Sequence, residues 1–325
     1  MEGSILVTGA GGFVGTALVR HLHGKGYPVI AALRQAPRRS APQGLSFVGR
    51  ELAADTDWSA ALVGVDTVIH LAARVHQLGE QPDASSERLY DEVNRAATLK
   101  LAQDAVVAGV RRFIFVSSIK VNGDWTQPGR PFRADDPLGP TDAYARSKAA
   151  AEQLLLALMV DTGLEVVIVR PPLIYGPGVK ANVARLLEAL ARGVPLPLGG
   201  VRHNRRSLLA VENLLDLLTL CIEAPQAAGA TLLVSDDEDL STAELIESLA
   251  EGLGRKARLI PIPGGWLERG ARLLGRDEVA QRLCGSLQVD IQATKTLLGW
   301  QPPLSARSAL RALGAQRARG GRAAC

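Results

Sequence analysis

Short apolar runs alternate with longer amphipathic stretches along the first half of the chain. The runs are rich in Val, Ile, Leu and Phe and show no polar–apolar alternation, as expected of strands covered on both faces. Stretches with helical periodicity separate them, which predicts a parallel sheet wrapped by helices. The predicted strands are Ile5–Val7, Val29–Leu33, Thr67–Leu71, Phe113–Val116 and Val166–Val169, and the predicted helices are Val14–His23, Asn94–Ala108 and Asp142–Asp161.

The pattern changes after residue 170, where Pro and Gly become frequent, as is typical of loops. The sequence predicts an α/β fold with a doubly wound parallel (Rossmann) sheet, followed by a smaller α/β lobe that binds the substrate. We expect residues 1–170 to form the sheet domain, with a returning segment near 205–223. Residues 171–325 should form mainly the second lobe, including helices Val211–Glu223 and Thr242–Gly252 and a strand Thr231–Val234, with a frayed tail over 316–325.

Composition excludes several functional classes. The 325 residues carry a net charge of +4 and only 4% aromatic residues, which does not fit a nucleic-acid-binding surface. The cysteines Cys221, Cys284 and Cys325 lack the spacing of a metal site, so no metal is predicted. The chain begins almost directly with a strand and has no apolar run of the ~20 residues that a membrane span needs. We therefore expect a soluble cytoplasmic protein without membrane or nucleic-acid partners.

A glycine-rich turn lies between the first predicted strand and the first predicted helix. Gly9, Gly12 and Gly15 have the spacing G-x-x-G-x-x-G. The first allows a tight turn, the second lets backbone approach a pyrophosphate, and the third lets helix and strand pack closely. The helix N-terminus adds N–H groups and a positive dipole end. The sheet domain is therefore predicted to bind NAD(P), with Phe13 and Val14 among the contacts.

The end of the second predicted strand distinguishes the two dinucleotides. NAD sites commonly place Asp or Glu there to bind the ribose 2′-OH. This chain has Arg34, followed by Arg38 and Arg39, and a guanidinium suits a 2′-phosphate. NADP(H) is therefore favoured, and NAD(H) is possible. The remaining predicted cofactor contacts are Glu51 and Leu52 at the adenine pocket, Leu71, Ala72 and Ala73 after the third predicted strand, and Pro171.

Candidate catalytic residues follow the strand Phe113–Val116 and lie on the helix Asp142–Asp161. Tyr144 and Lys148 are one turn apart on one helical face. An ordinary phenol, with a pKa of about 10, is a poor base at neutral pH, and a neighbouring ammonium lowers that pKa. A serine at the strand end can hold a substrate oxygen. We choose Ser118 for this role, with Ser117 beside it, a turn cap being the alternative for both. His70, within a strand, is expected to be a packed core histidine.

Several motifs occur together in order and spacing: TGAGGFVG (8–15), HLAA (70–73), Val93-Asn94, FVSSIKVNG (115–123), YARSK (144–148) and RPPLIYGPG (170–178). With them the chain closely resembles the extended short-chain dehydrogenase/reductases of the NAD-dependent epimerase/dehydratase group. The resemblance implies Ser118, Tyr144 and Lys148 as catalytic residues, Lys148 also as a contact of the nicotinamide ribose, and nucleotide sugars as substrates. It also implies a homodimer through a four-helix bundle, using the helices around Asn94–Ala108 and Tyr144–Leu158.

The resemblance extends to substrate residues in the second lobe. It implies that Arg206 meets the diphosphate of a nucleotide sugar, most simply a UDP-sugar. The segments SSIKVNG and GVKAN resemble a bacterial polysaccharide-pathway subgroup, which includes reductases of UDP-4-keto-6-deoxy-N-acetylglucosamine and proteins labelled UDP-glucose 4-epimerases. Further substrate candidates are Asn122, Lys180, Asn182 and Arg282, the alternative for the last three being merely exposed polar side chains.

Four functions fit these observations. The first is NADPH-dependent reduction of a UDP-4-keto-6-deoxy-N-acetylhexosamine, which Arg34 supports because a net reductase exchanges its cofactor with the NADPH pool. The second is a UDP-glucose or UDP-N-acetylglucosamine 4-epimerase with tightly held NAD, although Asn122 and Pro171-Pro172 replace a Tyr and an Asn-Pro frequent in such enzymes. A reductase of a non-sugar carbonyl and a catalytically silent dinucleotide sensor follow. Dehydration is not predicted, because no Asp-Glu pair lies near Ser118.

Overall fold

The computed structural model describes residues 3–36, 42–75, 83–179, 181–275 and 277–322, without the side chains of residues 181, 277–279 and 320–322. Within these residues a seven-stranded parallel sheet forms the centre of the fold. Each strand predicted from the apolar runs is present, so the predicted Rossmann-type α/β fold is confirmed. The spatial order is β3 (Leu45–Gly49), β2 (Val29–Leu33), β1 (Ser4–Thr8), β4 (Val65–His70), β5 (Arg112–Val116), β6 (Glu165–Arg170) and β9 (Thr231–Leu233).

Both faces of the sheet are covered, which explains why its strands are apolar without alternation. Ile5 and Val7 of β1 point into one core, and Leu6 points into the other. Neither core is open to water along the central strands, so the sheet supplies a rigid base for its carboxyl-end loops. Helices α1 (Phe13–Gly24) and α7 (Val211–Glu223) cover the first face, and α2 (Ser59–Leu62), α4 (Ala97–Val107) and α5 (Ala143–Thr162) cover the second.

The helix predicted from Asn94 to Ala108 begins earlier and is interrupted. Helix α3 (Ala84–Tyr90) leads into π-helical turns over Asp91–Ala96, which continue directly into α4. Single π-type insertions often occur at functional sites, because the extra residue re-aims one side chain. Here the insertion contains Asn94, whose contacts are described below.

The second lobe is built on a two-stranded parallel sheet, β7 (Leu173–Tyr175) and β8 (Leu208–Ala210). Its core packs these strands against α6, α8 and α12. The remaining helices form its outer layer or connect it to the main sheet. The helices are α6 (Ala181–Arg192), α8 (Thr242–Gly252), α9 (Gly264–Leu273), α10 (Asp277–Cys284), α11 (Gln292–Leu298) and α12 (Ala306–Arg322).

Two expectations about the second half need correction. The strand predicted at Thr231–Val234 does not belong to the second lobe: it is β9, and it pairs in parallel with β6 at the edge of the main sheet. The chain therefore returns to the sheet domain beyond the predicted segment 205–223, first through α7 and then through β9. Sequence patterns could not show this, because an edge strand of the main sheet and a strand of a small lobe are equally short and apolar.

The frayed tail predicted over 316–325 is wrong for residues 316–322, which continue α12 as a helix. Gly314 lets α12 lie directly on α8, since a Cβ at that position would be 2.4 Å from the carbonyl oxygen of Leu249. Leu310 and Leu313 are buried in the lobe core and anchor the helix. An anchored helix propagates readily through good helix formers such as Ala and Arg. Residues 323–325 lie outside the described part.

In the part of the chain that the structure describes, no helix has both the length and the apolarity required to cross a bilayer.

Candidate active site

The glycine-rich turn joins β1 to α1 at the point where the strand order reverses. Gly9 has a φ of +65°, and a Cβ there would lie 2.8 Å from the backbone nitrogen of Ala72. A Cβ on Gly15 would lie 2.1 Å from the carbonyl oxygen of Gly9. The backbone N–H of Ala72 donates to the hydroxyl of Thr8 (3.2 Å), which ties the loop after β4 to the end of β1. Neither glycine can be replaced without opening this turn.

The N-terminus of α1 is bare and suits a diphosphate. Gly12 is its N-cap, no side chain caps the helix, and no acidic residue occupies the first turn. A Cβ on Gly12 would approach the carbonyl oxygen of Gly9 to 3.2 Å. Phe13 and Val14 open the helix and are half-buried. Glycine backbone, free helical N–H groups and the positive dipole end are the combination that binds dinucleotide pyrophosphates, so these residues fit NAD(P).

The other predicted cofactor residues surround this turn at the carboxyl ends of neighbouring strands. Arg34 follows β2, is exposed, and makes no hydrogen bond or ion pair with any described residue. Pro171 follows β6, is buried, and its carbonyl accepts the N–H of Ile119 (2.9 Å). Arg38 and Arg39 lie outside the described residues. After β3, Glu51 is exposed and Leu52 half-buried, and after β4, Leu71, Ala72 and Ala73 are half-buried.

Ser118 and Tyr144 meet at the carboxyl end of β5. The backbone of Ser118 is extended, and its hydroxyl accepts the backbone N–H of Lys120 (3.2 Å). Ser118 therefore caps the short turn after β5, which is the alternative role that the sequence allowed for it. Its side chain is also hydrogen-bonded to the phenol of Tyr144, which begins α5. Burial raises the pKa of Tyr144 to about 12, against the opposite influence of the Ser118 hydrogen bond. In the protein by itself, the Tyr144 phenol is therefore protonated at neutral pH.

Lys148 lies one turn after Tyr144 on α5 and is buried. Its ammonium lies 4.0 Å from the centroid of the Phe115 ring, a cation–π contact. Burial lowers the pKa of Lys148 to about 7, while the charge of Glu152 acts in the opposite direction. A lysine in this state changes charge near neutral pH, as expected of a functional group rather than a structural one.

Behind Lys148 a buried ion pair connects α5 to the end of β6. Glu152 accepts two hydrogen bonds from Arg170, at 2.6 Å from Nη2 and 3.1 Å from Nε. The remaining Arg170 nitrogen donates to the amide oxygen of Asn122 (3.2 Å), and the Asn122 amide nitrogen donates to the carbonyl of Arg133 (3.3 Å). Both ends of the Asn122 amide are thus bound within the fold, and its predicted substrate contact stays a prediction.

Asn94 lies beside the site and was not among the residues predicted from sequence. From the π-helical turns its amide nitrogen donates to the carbonyl of Arg74 (3.0 Å) and to the hydroxyl of Ser147 (3.0 Å) on α5. Its amide oxygen accepts the N–H of Arg74 (2.8 Å). Asn94 thus fixes the loop after β4 against the helix that carries Tyr144 and Lys148. The available signal was Val93-Asn94, a motif without an assigned role.

His70 is a core residue, as predicted. It is fully buried at the end of β4, with Nδ1 2.7 Å from the Thr8 hydroxyl and Nε2 2.9 Å from the Thr98 hydroxyl. Burial, and then the charge of Lys148, lower its pKa to about 3. A histidine held neutral between two hydroxyls is not available for proton transfer at neutral pH.

Ser117, the second candidate serine, is buried with an unsatisfied hydroxyl. Its backbone N–H donates to Val169 (2.7 Å), but its Oγ has no hydrogen-bond partner among the described residues. A buried hydroxyl normally finds a partner, so the unpaired Ser117 hydroxyl beside Ser118 is suited to a ligand. The Ser118 hydroxyl is therefore bound within the fold, whereas the Ser117 hydroxyl has no partner among the described residues.

Arg206 is held at the border of the second lobe. Its backbone pairs with Leu240, and its Nη1 donates to the carbonyl of Gly285 (3.1 Å). Burial lowers the pKa of Arg206, and no carboxylate in the described residues forms an ion pair with it. A half-buried cation without a counter-ion is suited to an anionic ligand.

The other predicted substrate residues are less informative. Asn182 is exposed at the start of α6, Arg282 is exposed on α10, and Lys180 lies outside the described residues. A cavity of about 310 Å³ lies next to Gly285, between Trp125 and α10. The sequence did not predict that Trp125 lines a cavity, because a lone aromatic residue in a loop has no distinguishing pattern.

The chain is similar to known proteins over most of its length. Residues 5–234 match the family described as the NAD dependent epimerase/dehydratase family. A UDP-glucose 4-epimerase of Vibrio cholerae is 45% identical over 304 residues, 93% of this chain and 92% of that protein. A 2-alkyl-3-oxoalkanoate reductase of Stenotrophomonas maltophilia (strain K279a) is 33% identical over 257 residues, 77% of this chain and 76% of that protein. The structure of MoeE5 in complex with UDP-glucose and NAD has a TM-score of 0.76 at 27% identity and covers 98% of this chain and 99% of that chain.

These findings change the order of the predicted functions. The resemblance to the extended short-chain dehydrogenase/reductases is confirmed. The 45% identical relative is an epimerase, which fits the second function better than the first, the 4-ketoreductase. The preference for NADP over NAD finds no support, since the similar solved structure is a complex with NAD.

Proposed function

Because the chain belongs to the NAD dependent epimerase/dehydratase family, we propose that it is a 4-epimerase of a UDP-hexose, UDP-glucose or UDP-N-acetylglucosamine, with tightly held NAD. One observation carries the proposal. The Tyr144 phenol, bonded to Ser118 and one turn from the buried Lys148, lies at the carboxyl edge of the sheet that carries the bare glycine turn. Such a site exchanges a proton at one oxygen while a hydride leaves or joins the adjoining carbon.

The glycine turn and the N-terminus of α1 would hold the dinucleotide diphosphate, and Lys148 would contact its nicotinamide ribose. When bound, the dinucleotide supplies an acceptor, and then a donor, for the hydride at C4 of the sugar. Glu152 opposes the loss of charge from Lys148, so it favours the ammonium form near neutral pH. Arg170 in turn holds the Glu152 carboxylate in place (2.6 Å).

Tyr144 performs the proton transfer in both directions. It takes the proton of the C4 hydroxyl as C4 is oxidised, and it returns that proton to the same oxygen when C4 is reduced. Its pKa of about 12 is too high for this task. When the dinucleotide is bound, the positive charge of the oxidised nicotinamide, together with a Lys148 ammonium, would favour the phenolate and so lower that pKa. The hydroxyls of Ser118 and Ser117 hold the C4 oxygen while charge develops on it.

Arg206 would anchor the substrate at its diphosphate. Epimerisation requires the 4-keto sugar to turn over between the two hydride transfers without leaving the enzyme. A charge-assisted contact to the diphosphate permits that rotation, because it restrains the nucleotide and not the sugar ring. Among the residues that the structure describes, no carboxylate competes for Arg206, which supports this role.

A second candidate function is the NADPH-dependent 4-ketoreductase of a UDP-4-keto-6-deoxy-N-acetylhexosamine in bacterial polysaccharide biosynthesis. Arg34 favours it, because an exposed guanidinium that has no partner among the described residues follows β2, where a 2′-phosphate would lie. Replacing Arg34 by Asp should weaken NADPH binding at least tenfold more than NADH binding if the 2′-phosphate contact exists. Equal weakening of both would remove the argument for this candidate.

We also infer a homodimer through α4 and α5, as the family resemblance implies. Each helix has an exposed valine in its last turn, Val107 with 88% and Val160 with 80% of its surface exposed. Sedimentation equilibrium of the Val107→Asp/Val160→Asp double variant checks this inference. A dimer should become a monomer, and an unchanged molecular mass would reject these helices as the interface.

The nucleotide released by denaturing the purified protein tests the proposed function first. An epimerase that recycles a captive cofactor should release near-stoichiometric NAD(H), and should convert UDP-glucose to UDP-galactose without added dinucleotide. An empty protein that prefers NADPH and consumes it with a 4-keto-6-deoxy sugar would overturn the epimerase proposal in favour of the ketoreductase. Reduction of only non-sugar carbonyls, as by the 33% identical relative, would overturn both.

A further inference from the structure

Helix α9 is unusual in the second lobe because none of its residues is buried. Trp266 has 71% of its surface exposed, Leu273 has 88%, and Leu274, directly after the helix, has 73%. Trp266 and Leu273 are seven residues apart and so project from the same side of the helix. Large apolar side chains grouped in this way on a surface mark an interaction site more often than isolated ones do.

The extended segment before α9 adds charge to this face. Lys256, Arg258 and Ile260 are exposed, whereas the alternate residues Ala257 and Leu259 pack into the lobe core. The segment is fixed in place, since the N–H of Ile260 donates to the carbonyl of Leu196 (2.9 Å). Two basic side chains and one apolar side chain are therefore presented in a row that leads into the helix.

The charge of this region differs from that of the rest of the chain. Residues 255–276 contain six basic residues and one acidic residue, a net charge of +5, whereas the whole chain carries +4. Within α9, Arg269 is exposed and lies on the helix one turn from both Trp266 and Leu273. The exposed apolar residues thus lie inside a strongly basic segment.

We propose that Lys256, Arg258, Ile260, Trp266, Arg269 and Leu273, called here the α9 surface, dock the enzyme on an anionic lipid bilayer. A short amphipathic helix with Trp and Leu on one side and arginines beside them lies in the headgroup region, with its apolar side chains at the acyl boundary. Lipid phosphates then provide the counter-charges of the basic residues. The docking is peripheral and reversible, since one short helix buries little apolar area.

Charge complementarity selects the bilayer over a second copy of the chain. Two identical α9 surfaces facing each other would bring two +5 segments together, and like charges across an interface oppose association. An anionic bilayer instead accepts both the apolar and the basic side chains at once. Because the interaction depends partly on charge, added salt should weaken it.

Co-sedimentation of the full-length protein with vesicles tests the proposal. Vesicles of equal parts phosphatidylcholine and phosphatidylglycerol should bind at least about fivefold more protein than pure phosphatidylcholine vesicles, and high salt should reduce that excess. The Trp266→Ser/Leu273→Ser variant should lose at least about fivefold of the binding. Arg258→Gln/Arg269→Gln should lose the preference for phosphatidylglycerol.

Matched controls replace exposed residues on the sheet domain. Val63→Ser, at a position 77% exposed, and Arg20→Gln on α1 should leave binding unchanged. Equal loss in these controls, or absence of binding to either vesicle, would overturn the proposal. So would a Trp266→Ser/Leu273→Ser variant that binds vesicles normally but changes its oligomeric mass or its KM for substrate, because the α9 surface would then face a second copy or close over the site.

Discussion

The two ends of the central sheet differ in how fully their charged and polar groups are paired. At the amino ends of β4, β5 and β6, ionic groups are paired. Arg111 contacts Asp66 (2.8 Å) and Glu165 (2.9 Å), and the buried Arg112 contacts Glu165 (2.7 Å). Arg112 also donates to the carbonyls of Ile222 (3.1 Å) and Ala224 (2.9 Å) at the end of α7, where a helix leaves carbonyls without intrahelical partners.

At the carboxyl ends several groups lack this compensation. The Ser117 hydroxyl has no partner in the described residues, Lys148 is buried with a pKa lowered to about 7, and Arg206 has no carboxylate beside it there. Each arrangement costs free energy in the unliganded protein. The difference indicates that the amino edge stabilises the fold, whereas the carboxyl edge keeps groups ready for a ligand.

The largest expected effect is on catalysis. Tyr144→Phe removes only the phenolic hydroxyl, and kcat for the epimerase reaction should fall at least about 1000-fold, because no other group can exchange the C4 proton. Binding of NAD, measured by fluorescence titration, should be nearly unchanged. Retention of more than about a tenth of the activity would remove Tyr144 from the mechanism.

The amino edge should respond through stability instead. Arg112→Met removes one of the two arginines that pair with Glu165 and the buried donor to carbonyls at the end of α7, and should lower the free energy of unfolding in urea by about 2–3 kcal/mol. The turnover of the folded protein should stay within about twofold, because the change lies at the opposite end of the sheet. Arg192→Met, at an exposed pair with Glu188, is the matched control and should cost no more than about 1 kcal/mol.

Arg206→Met should lower kcat/KM for the UDP-sugar about 100-fold, the loss of one or two charge-assisted hydrogen bonds to the diphosphate. The free energy of unfolding should not decrease, because Arg206 has no carboxylate to leave behind in the described part of the fold. Its neighbour Arg205, which has Glu244 at 3.8 Å, offers the control Arg205→Met. If both variants lose the same activity, Arg206 has no special contact with the substrate.

The smallest expected effect is that of Lys148→Met on the free energy of unfolding, and this effect depends on pH. Burial lowers the pKa of Lys148 from 10.5 to about 7, so between these values the unfolded state binds more protons than the folded state, and stability rises with pH. At pH 6 the Met variant should therefore be more stable than the wild type by about 1–2 kcal/mol, and the gain should shrink towards pH 10. Urea unfolding at several pH values measures the difference, and a gain independent of pH would contradict it.

The parts of the site that depend on local spacing could be predicted from sequence. The glycine turn and the Tyr144–Lys148 pair are fixed by neighbours a few residues away, and the structure places them as expected. The contact between Asn122 and Arg170 was not predicted, because Arg170 is distant in sequence and is itself held by Glu152. No local pattern could reveal that contact, nor the π-helical turns that aim Asn94.

The same reasoning explains the errors in the fold. Strand β3 was not predicted, because Leu45–Gly49 includes a polar residue and lies at the exposed edge of the sheet. The continuation of α12 to Arg322 depends on its packing against α8, which sequence periodicity does not show. In both places tertiary contacts, rather than local preference, decide the structure.

The fate of the hydrogen at C4 tests the central claim most directly. UDP-glucose carrying deuterium at C4 is incubated with the purified enzyme, and the UDP-galactose formed is examined by mass spectrometry and NMR. We expect the deuterium to remain at C4 of the product, with none lost to water or to added dinucleotide, because the hydride is stored within the site and the Tyr144–Lys148 pair handles only the proton. Release of the deuterium, or its transfer to free dinucleotide with no UDP-galactose formed, would contradict an epimerase at the carboxyl edge of this sheet.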